Sequence, residues 1–209
     1  MSSRFHPLPP GFVPPCLPKD SKAPPTGKEW LHEIKHDGFR VIARKMGNRV
    51  KLYSRSGNDL TRRFPLIAGA IAKLRASSCI IDGEAVACAD NGIACFELLL
   101  HWDIDRAVLM YAFDLIELNG DDFRREPLQM RKAKLETVLS RPLLGIRFNE
   151  HIEEDGPIVF QRACRLGLEG IVSKRKGSQY ISGRCRHWIK LKNPDAPAVR
   201  REAEIDWSR

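Results

Sequence analysis

Short apolar runs separated by polar turns dominate the chain, and this pattern predicts more strand than helix. Strand-like alternation or clustering of apolar residues occurs over 30–45, 49–55, 79–88, 107–118, 145–151, 169–175 and 187–192. Helical spacing occurs over 65–76, 127–140 and 157–167, with proline at the start of the first segment and glycine closing the last. Because strands and helices do not alternate regularly along the chain, the order predicts an α+β fold with antiparallel sheets flanked by helices.

The first 29 residues differ from the rest because they are rich in proline, as in "PLPPGFVPP" and "KAPPTGK". Proline fixes its own φ angle and has no backbone N–H, so such a stretch forms neither a helix interior nor a central strand. We therefore expect an extended lead segment over 1–29, one domain over 30–194 and a surface tail over 195–209. The tail mixes acids with Trp207.

Composition predicts a globular protein without a membrane span. The 209 residues are 43% hydrophobic and 29% charged, which allows a substantial core and excludes a disordered chain. No apolar run approaches the roughly 18 residues that a membrane span needs, and the N-terminus lacks the apolar centre of a secretory signal. These features predict a cytoplasmic protein.

The six cysteines are scattered and form no CxxC pair, so neither a disulfide framework nor a zinc ribbon is indicated. Reduced thiols are the simpler interpretation. A zinc site built from Cys88, Cys95 and His101 is an alternative, but its spacing matches no common ligand pattern.

Charge indicates a polyanionic partner. The formal net charge is +9, and the stretch from 162 to 192 contains nine cations and only one acid, Glu169. Clustered lysine and arginine gain affinity for phosphates by releasing condensed counterions. A pair of solvated basic faces is the alternative interpretation.

The stretch "EIKHDGFR" carries the first candidate chemistry. On a continuous strand Glu33, Lys35 and Asp37 share one face, while Ile34 and His36 point the other way. Such a triplet is either a salt-bridged surface or a site with a nucleophilic amine, which must be neutral for part of the time.

Several further positions fit a phosphate site. Gly38 would allow a ligand or a backbone to approach closely, and Arg40 has the planar fork that suits phosphate. Other strands carry charged or aromatic side chains at inward positions, namely Asp82, Glu84, Phe113, Asp114, Glu169, Trp188, Lys190 and Lys192. Burying these groups is costly unless something charged lies between them, and a nucleoside triphosphate with its metal is such a ligand. The sequence has no GxxxxGK[ST] or GxGxxG phosphate loop.

Six motifs along the chain resemble, in the same order, those of covalent nucleotidyltransferases. They are "KHDGFR", "SRSGNDLT", "IDGEAV", "YAFDLIELNG", "EGIVSK" and "WIKLK". The resemblance is greatest to the adenylation domain of bacterial ATP-dependent DNA ligases of the end-joining type. It runs from about Phe12 to Pro194 and implies the ATP-grasp-like fold of those domains. It also implies that the protein joins breaks in double-stranded DNA during repair, using ATP and Mg2+ or Mn2+.

The resemblance implies a role for each matching residue. Lys35 would become covalently attached to AMP, with Lys190 and Lys192 as the catalytic lysine pair that binds the α-phosphate. The implied nucleotide-binding residues are Glu33, Ile34, Arg40, Arg55, Glu84, Phe113, Lys190 and Lys192, and the implied metal ligands are Glu84 and Glu169. Counting alternate positions from Glu169 places Lys174 on the opposite strand face, so in a strand without a bulge Lys174 is expected to point away.

The sequence after Lys192 departs from the family. Ligases of this class continue into an oligonucleotide-binding (OB) barrel, and the 17 residues that follow Lys192 are too few for five strands. The expectation is a minimal ligase lacking that barrel, with a separate protein that supplies it or binds DNA ends as a possible partner. A non-enzymatic DNA-binding accessory module is the alternative. An RNA ligase or a GTP-using capping enzyme fits "SRSGNDLT" and "YAFDLIELNG" less well.

Overall fold

The computed structural model describes residues 11–89, 92–100 and 108–200. The strands in this part are β1 (Cys16–Asp20), β2 (Trp30–Ile34), β3 (Phe39–Met46), β4 (Arg49–Tyr53), β5 (Ser78–Val86), β6 (Leu109–Leu118), β7 (Asp121–Asp122), β8 (Ile146–Phe148), β9 (Gly170–Arg175) and β10 (Gly183–Lys192). The helices are α1 (Pro65–Ala72), α2 (Glu97–Leu100), α3 (Leu128–Val138) and α4 (Gly156–Arg165). His101 of the alternative zinc site, the first ten residues of the lead segment and the end of the tail with Trp207 lie outside the described residues.

Two sheets organise these elements. The four-stranded sheet has the order β1-β10-β9-β2, and the six-stranded sheet has the order β4-β3-β5-β6-β7, with β8 paired to β6. All neighbours are antiparallel except β1 with β10 and β6 with β8, which are parallel. The predicted α+β fold with antiparallel sheets is confirmed. The two parallel pairs were not predicted, because the partner of an edge strand is not encoded in its local pattern.

Packing arranges the sheets and helices in layers. Ile67 and Ile71 of α1 pack on one face of the six-stranded sheet. The other face meets the four-stranded sheet through a cluster that includes Ile42 from β3 and Trp188 from β10. Val159 of α4 packs with Ile171 and Leu191 on the outer face of the four-stranded sheet. The inner faces of the two sheets therefore meet each other, and charged residues on those faces share one space.

The helix boundaries follow from local signals. Pro65 lies in the first turn of α1, where its missing N–H has no intrahelical partner to lose. Gly167 ends α4 with a φ of 69°, and its N–H donates to the carbonyl of Cys164 at 3.0 Å while Leu168 N–H reaches Ala163 at 3.1 Å. Among the described helices, none has both the length and the apolar character needed to cross a membrane.

The segment 30–45, predicted as a single strand, is two strands in different sheets. β2 ends at Ile34 in the four-stranded sheet, and β3 begins at Phe39 in the six-stranded sheet. Residues 35–38 cross between the sheets, so the alternation that placed Asp37 on the face of Glu33 stops at the end of β2. At Gly38 an added Cβ would lie 2.2 Å from the carbonyl oxygen of Ala85, so the predicted close approach is one of backbone to backbone.

The lead segment is integrated into the domain in a way that the sequence did not predict. Within it, β1 pairs with β10 at the edge of the four-stranded sheet. Val13 and Cys16 are fully buried in the cluster between the sheets. Pro18 lies in β1, and an edge strand tolerates proline because one side of its backbone needs no partner.

Candidate active site

A cleft of about 200 Å³ lies between the two sheets. Its walls include eight of the predicted site residues, namely Glu33, Ile34, Lys35, Arg40, Arg55, Glu84, Phe113 and Lys190. His36, Asn149, Lys174 and Trp188 also line it; the sequence had placed only Trp188 of these at an inward position, and none of the four had been assigned a role. The structure therefore brings together side chains from both sheets and from the connection that joins β2 to β3.

Lys35 lies immediately after β2, where its position is fixed by the neighbouring strand. Its N–H donates to the carbonyl of Gly170 at 3.0 Å, and its ammonium group forms an ion pair with Glu169. The side chain of Lys35 is 21% exposed, whereas that of Glu169 is 4% exposed. The amine is therefore reachable from the cleft while its carboxylate partner is buried.

Glu33 is buried and holds two lysines. Its Oε1 is 2.6 Å from Nζ of Lys132, and its Oε2 is 2.6 Å from Nζ of Lys174. The side-chain amide of Asn149 also donates to Oε2 at 3.3 Å. Burial opposes ionisation of Glu33, but the two ammonium groups outweigh it and lower the pKa of the carboxyl group. Both carboxylate oxygens thus already have partners inside the protein.

The prediction that Lys174 points away from the site is wrong. Glu169 precedes β9, and Gly170 has a φ of 148°, so alternation along the strand cannot be counted from Glu169. Lys174 faces the cleft, and its ammonium group lies 4.1 Å from the ring centroid of Phe113 and 4.0 Å from that of Trp188. Burial lowers the pKa of Lys174, although Glu33 opposes that shift.

Arg40 lines the cleft but already binds a carboxylate. Its Nε is 2.5 Å from Oδ1 of Asp82 and its Nη2 is 2.7 Å from Oδ2, while the hydroxyl of Tyr180 donates to Oδ2 at 2.6 Å. Burial alone would lower the pKa of Arg40, and the contact with Asp82 more than reverses this. The guanidinium carbon also lies 4.6 Å from the ring centroid of Phe113. Arg40 therefore reaches the cleft as a fixed cation beside the aromatic ring.

Glu84 and Glu169 are the two predicted metal ligands. The pKa of Glu84 is raised to about 7, and burial is the largest cause. Arg40 and Lys35 oppose this shift, while Glu169 and Asp82 add to it. Glu84 lines the same cleft as Lys35, whereas Glu169 pairs with the Lys35 ammonium group and lines a neighbouring cavity of about 280 Å³. Among the described residues, no group of three or more acids, histidines or cysteines is arranged to hold a metal. Two carboxylates nevertheless fit Mg2+, which commonly takes one or two protein carboxylates and completes its shell with phosphates and water.

The remaining predicted residues differ in their positions. Lys190 lines the cleft and lies 3.3 Å from a carboxylate oxygen of exposed Asp20. Arg55 is exposed at the rim. Lys192 lies at the end of β10 opposite Gly170 and is outside the set of residues that line the cleft. Asp37 borders a neighbouring cavity of about 280 Å³, and its carboxylate accepts a hydrogen bond from the N–H of Phe96 at 3.3 Å.

Two polar residues, His36 in the wall of the cleft and Lys132 next to Glu33, were not predicted from the sequence. The ring of His36 stacks on Tyr111 with centroids 4.0 Å apart, and its Nε2 donates to Oδ1 of Asn149 at 3.0 Å. Lys132 comes from α3 and reaches Glu33 across the fold. Burial lowers the pKa of His36, which favours the neutral ring. In the sequence, Lys132 is one of several cations in a polar helix, so its burial had no local signal.

Comparison with known proteins identifies the family of this arrangement. The family model described as "ATP dependent DNA ligase domain" matches residues 22–192. The chain belongs to the ATP-dependent DNA ligase domain family. This ligase domain is 37% identical over 187 residues to the multifunctional non-homologous end joining protein LigD of Pseudomonas aeruginosa, covering 88% of the chain and 22% of that protein.

Two further relatives support the same membership. The SPbeta prophage-derived DNA ligase-like protein LigB of Bacillus subtilis is 30% identical over 194 residues, which cover 90% of the chain and 70% of LigB. A solved structure of mycobacterial DNA ligase D complexed with ATP and MES superimposes with a TM-score of 0.77 at 29% identity, covering 86% of the chain and 60% of that structure. The ligase domain thus spans about a fifth of the length of the LigD protein and somewhat over half of the solved chain.

Proposed function

We propose that this domain transfers the adenylyl group of ATP to Nζ of Lys35 and uses the resulting lysyl-AMP in joining breaks in double-stranded DNA during repair. The observation that carries the proposal is the position of Lys35, a partly exposed amine that pairs with Glu169 and lies in a cleft that Glu84 and Lys190 also line. Membership of the ligase family supports it, as does the ATP complex of the mycobacterial relative.

In the proposed reaction, Nζ of Lys35 gives up a proton and forms a bond to the α-phosphorus. The bond from that phosphorus to the bridging oxygen breaks, and pyrophosphate leaves with the electron pair. Most of the rate of such a transfer comes from positioning and from electrostatic stabilisation. ATP supplies the adenylyl group, and Mg2+ or Mn2+ neutralises the polyphosphate.

We assign each of the proposed site residues to a part of ATP or to the metal. Lys190 and Lys192 would together bind the α-phosphate and offset charge as pyrophosphate leaves. Glu84 and Glu169 would hold the metal. The remaining assigned residues are Glu33 and Ile34 near the adenine, Phe113 stacked on it, and Arg40 and Arg55 toward phosphate and ribose.

Covalent labelling tests the proposal. The purified chain is incubated with α-labelled ATP and Mg2+ or Mn2+, denatured, and examined for retained label beside Lys35→Ala and the control Lys51→Ala. Lys51 is an exposed lysine paired with Asp59, so its loss removes the same charge outside the cleft. We expect label on the wild type and Lys51→Ala and none on Lys35→Ala. Label on folded Lys35→Ala, or a folded wild type that takes up none, would overturn the proposal.

A further inference from the structure

A cavity of about 460 Å³ lies away from the cleft, where α1 and α3 end and β6 turns into β7. Its polar lining consists of Lys73, Arg75, Asn119, Thr137, Ser140 and Arg141. β5 connects the two sites. The carbonyl of Ser78, at its start, accepts a hydrogen bond from the N–H of Asn119 at 2.9 Å, and Glu84, near its end, lines the cleft. Six residue steps along a strand put the sites about 20 Å apart.

The cavity carries unbalanced positive charge. Lys73, Arg75 and Arg141 are all exposed and line it, and no carboxylate belongs to its lining within the described ranges. The cations of the cleft differ, since Lys35 pairs with Glu169 and Arg40 with Asp82. A concave surface lined by one sign of charge attracts an anion from solution.

Neutral donors accompany these cations. Oδ1 of Asn119 accepts from the N–H and the hydroxyl of Ser77 at 2.8 and 3.0 Å, which leaves the amide NH2 group to donate into the cavity. Ser140 adds a hydroxyl, whereas the hydroxyl of Thr137 donates to the carbonyl of Ala133 at 3.0 Å. Lysine, arginine, serine and asparagine are the side chains that commonly bind phosphate oxygens of nucleic acids.

A structural role accounts for only part of this arrangement. Lys73 is the C-terminal cap of α1, and Arg141 follows the end of α3, so both cations lie near negative helix ends and gain a modest stabilisation there. Arg75 lies beyond the last turn of α1, and the helix ends do not explain why a large cavity gathers three cations without an acid.

We propose that this cavity binds the phosphodiester backbone of DNA and holds a segment distinct from the strand end that reaches Lys35. The choice of DNA as the ligand rests on the proposed function. The separation follows from the fold. Ile67 and Ile71 place α1 on one face of the six-stranded sheet, and Phe113 and Trp188 place the cleft on the other. The domain would thus bind DNA at a second point about 20 Å from the cleft.

The test measures binding of a fluorescent, unnicked duplex by anisotropy between 50 and 200 mM salt. The cavity variant combines Lys73→Ala, Arg75→Ala and Arg141→Ala. The control variant combines Lys28→Ala, Lys51→Ala and Lys134→Ala, which removes the same charge from exposed sites outside the cavity. Losing three phosphate contacts should reduce the slope of log Kd against log salt by about 2 to 3, whereas the control should change it by less than about 1. Covalent labelling of Lys35 should match the wild type in both variants.

Equal slopes in the two triple variants would overturn the proposal, and so would a cavity variant that changes only the thermal unfolding temperature. Binding of polyglutamate, but not DNA, through the three cations would overturn the choice of DNA. If the cavity variant does not fold, Ser140→Asp replaces it, with Ser140→Asn as the uncharged control of similar size. We expect several-fold weaker DNA binding for Ser140→Asp only, and equal affinities would overturn the proposal. Failure of Lys35 to label in every variant would instead contradict the proposed function, since that readout does not involve the cavity.

Discussion

The ammonium group of Lys35 and the carboxylate of Glu169 form an ion pair although the two residues are 134 positions apart in the chain. Lys35 follows β2 and Glu169 precedes β9, and the antiparallel pairing of these strands brings the ends together, with Ile34 opposite Ile171. In the proposed reaction, the amine must leave this carboxylate and lose a proton before it attacks phosphorus. The pair therefore links the proposed nucleophile to one of the two proposed metal ligands.

Replacing that carboxylate should slow adenylation without unfolding the domain. In Glu169→Gln the amide oxygen still accepts from Lys35, but the negative charge that positions the amine and the metal is lost. We expect the initial rate of covalent labelling to fall by about 100-fold or more. The control is Glu153→Gln, which removes an exposed carboxylate paired with Lys176. Labelling of Glu169→Gln at the control rate would show that the carboxylate has no part in the reaction.

The crossing between the sheets should not tolerate a side chain at Gly38. A methyl group there would lie 2.2 Å from the carbonyl oxygen of Ala85, so Gly38→Ala must displace backbone next to Lys35. We expect a loss of about 1–3 kcal/mol in unfolding free energy, together with slower labelling.

The matched control for this change is Gly69→Ala in α1. A Cβ at Gly69 meets nothing within 4 Å. Alanine in a helix interior should stabilise the domain by about 0.5–1 kcal/mol and leave labelling unchanged. Urea unfolding and labelling of both variants would decide the matter, and equal stabilities would contradict the proposed clash.

The buried carboxylate of Glu33 should contribute more to the unfolding free energy than Lys132, one of the two lysines that it pairs with. Glu33→Gln leaves the ammonium groups of Lys132 and Lys174 buried without a counter-charge, and we expect a cost of about 3–5 kcal/mol. Lys132→Met should cost less, because Glu33 keeps its pairing with Lys174. Urea unfolding at neutral pH measures both variants, and a larger loss for Lys132→Met than for Glu33→Gln would contradict this order.

Acid should destabilise the domain partly through His32. Burial lowers the pKa of this ring, whose Nδ1 lies 2.8 Å from Oγ of Ser173, while Asp155 opposes the shift and Lys176 adds to it. Below an ordinary pKa of about 6.5 the unfolded chain binds a proton that the folded chain resists, so stability falls as pH decreases. We expect the unfolding free energy of the wild type to drop more steeply than that of His32→Gln between pH 7 and pH 5. Parallel curves would exclude a role for His32.

The sequence predicted features whose cause is local. β5, β6 and β10 were recognised from their apolar alternation, and α4 was recognised with the glycine that ends it. The charged inward positions of these strands, among them Glu84 and Lys190, pointed to the cleft because they would be costly in an ordinary core.

The errors share a different cause, which is the path of the backbone in space. The strand count from Glu169 failed at Lys174 because Glu169 precedes β9 and Gly170, the first residue of β9, has a φ of 148°. The pattern of 30–45 continues across residues 35–38, although the chain changes sheet there. Lys132 reaches Glu33 because α3 packs against β6. The sequence around Lys132 gives no sign of this packing.

The four residues between β2 and β3 include the proposed nucleophile, Lys35, and also join the two sheets. An insertion or deletion in this segment would change the spacing of the sheets and the position of the Lys35 amine together. Loops elsewhere on a domain can vary in length without moving the reacting groups. In this segment, a change in length would also move Lys35. Natural variation and protein engineering should therefore leave unchanged the number of residues in this segment, as well as Lys35 and Gly38.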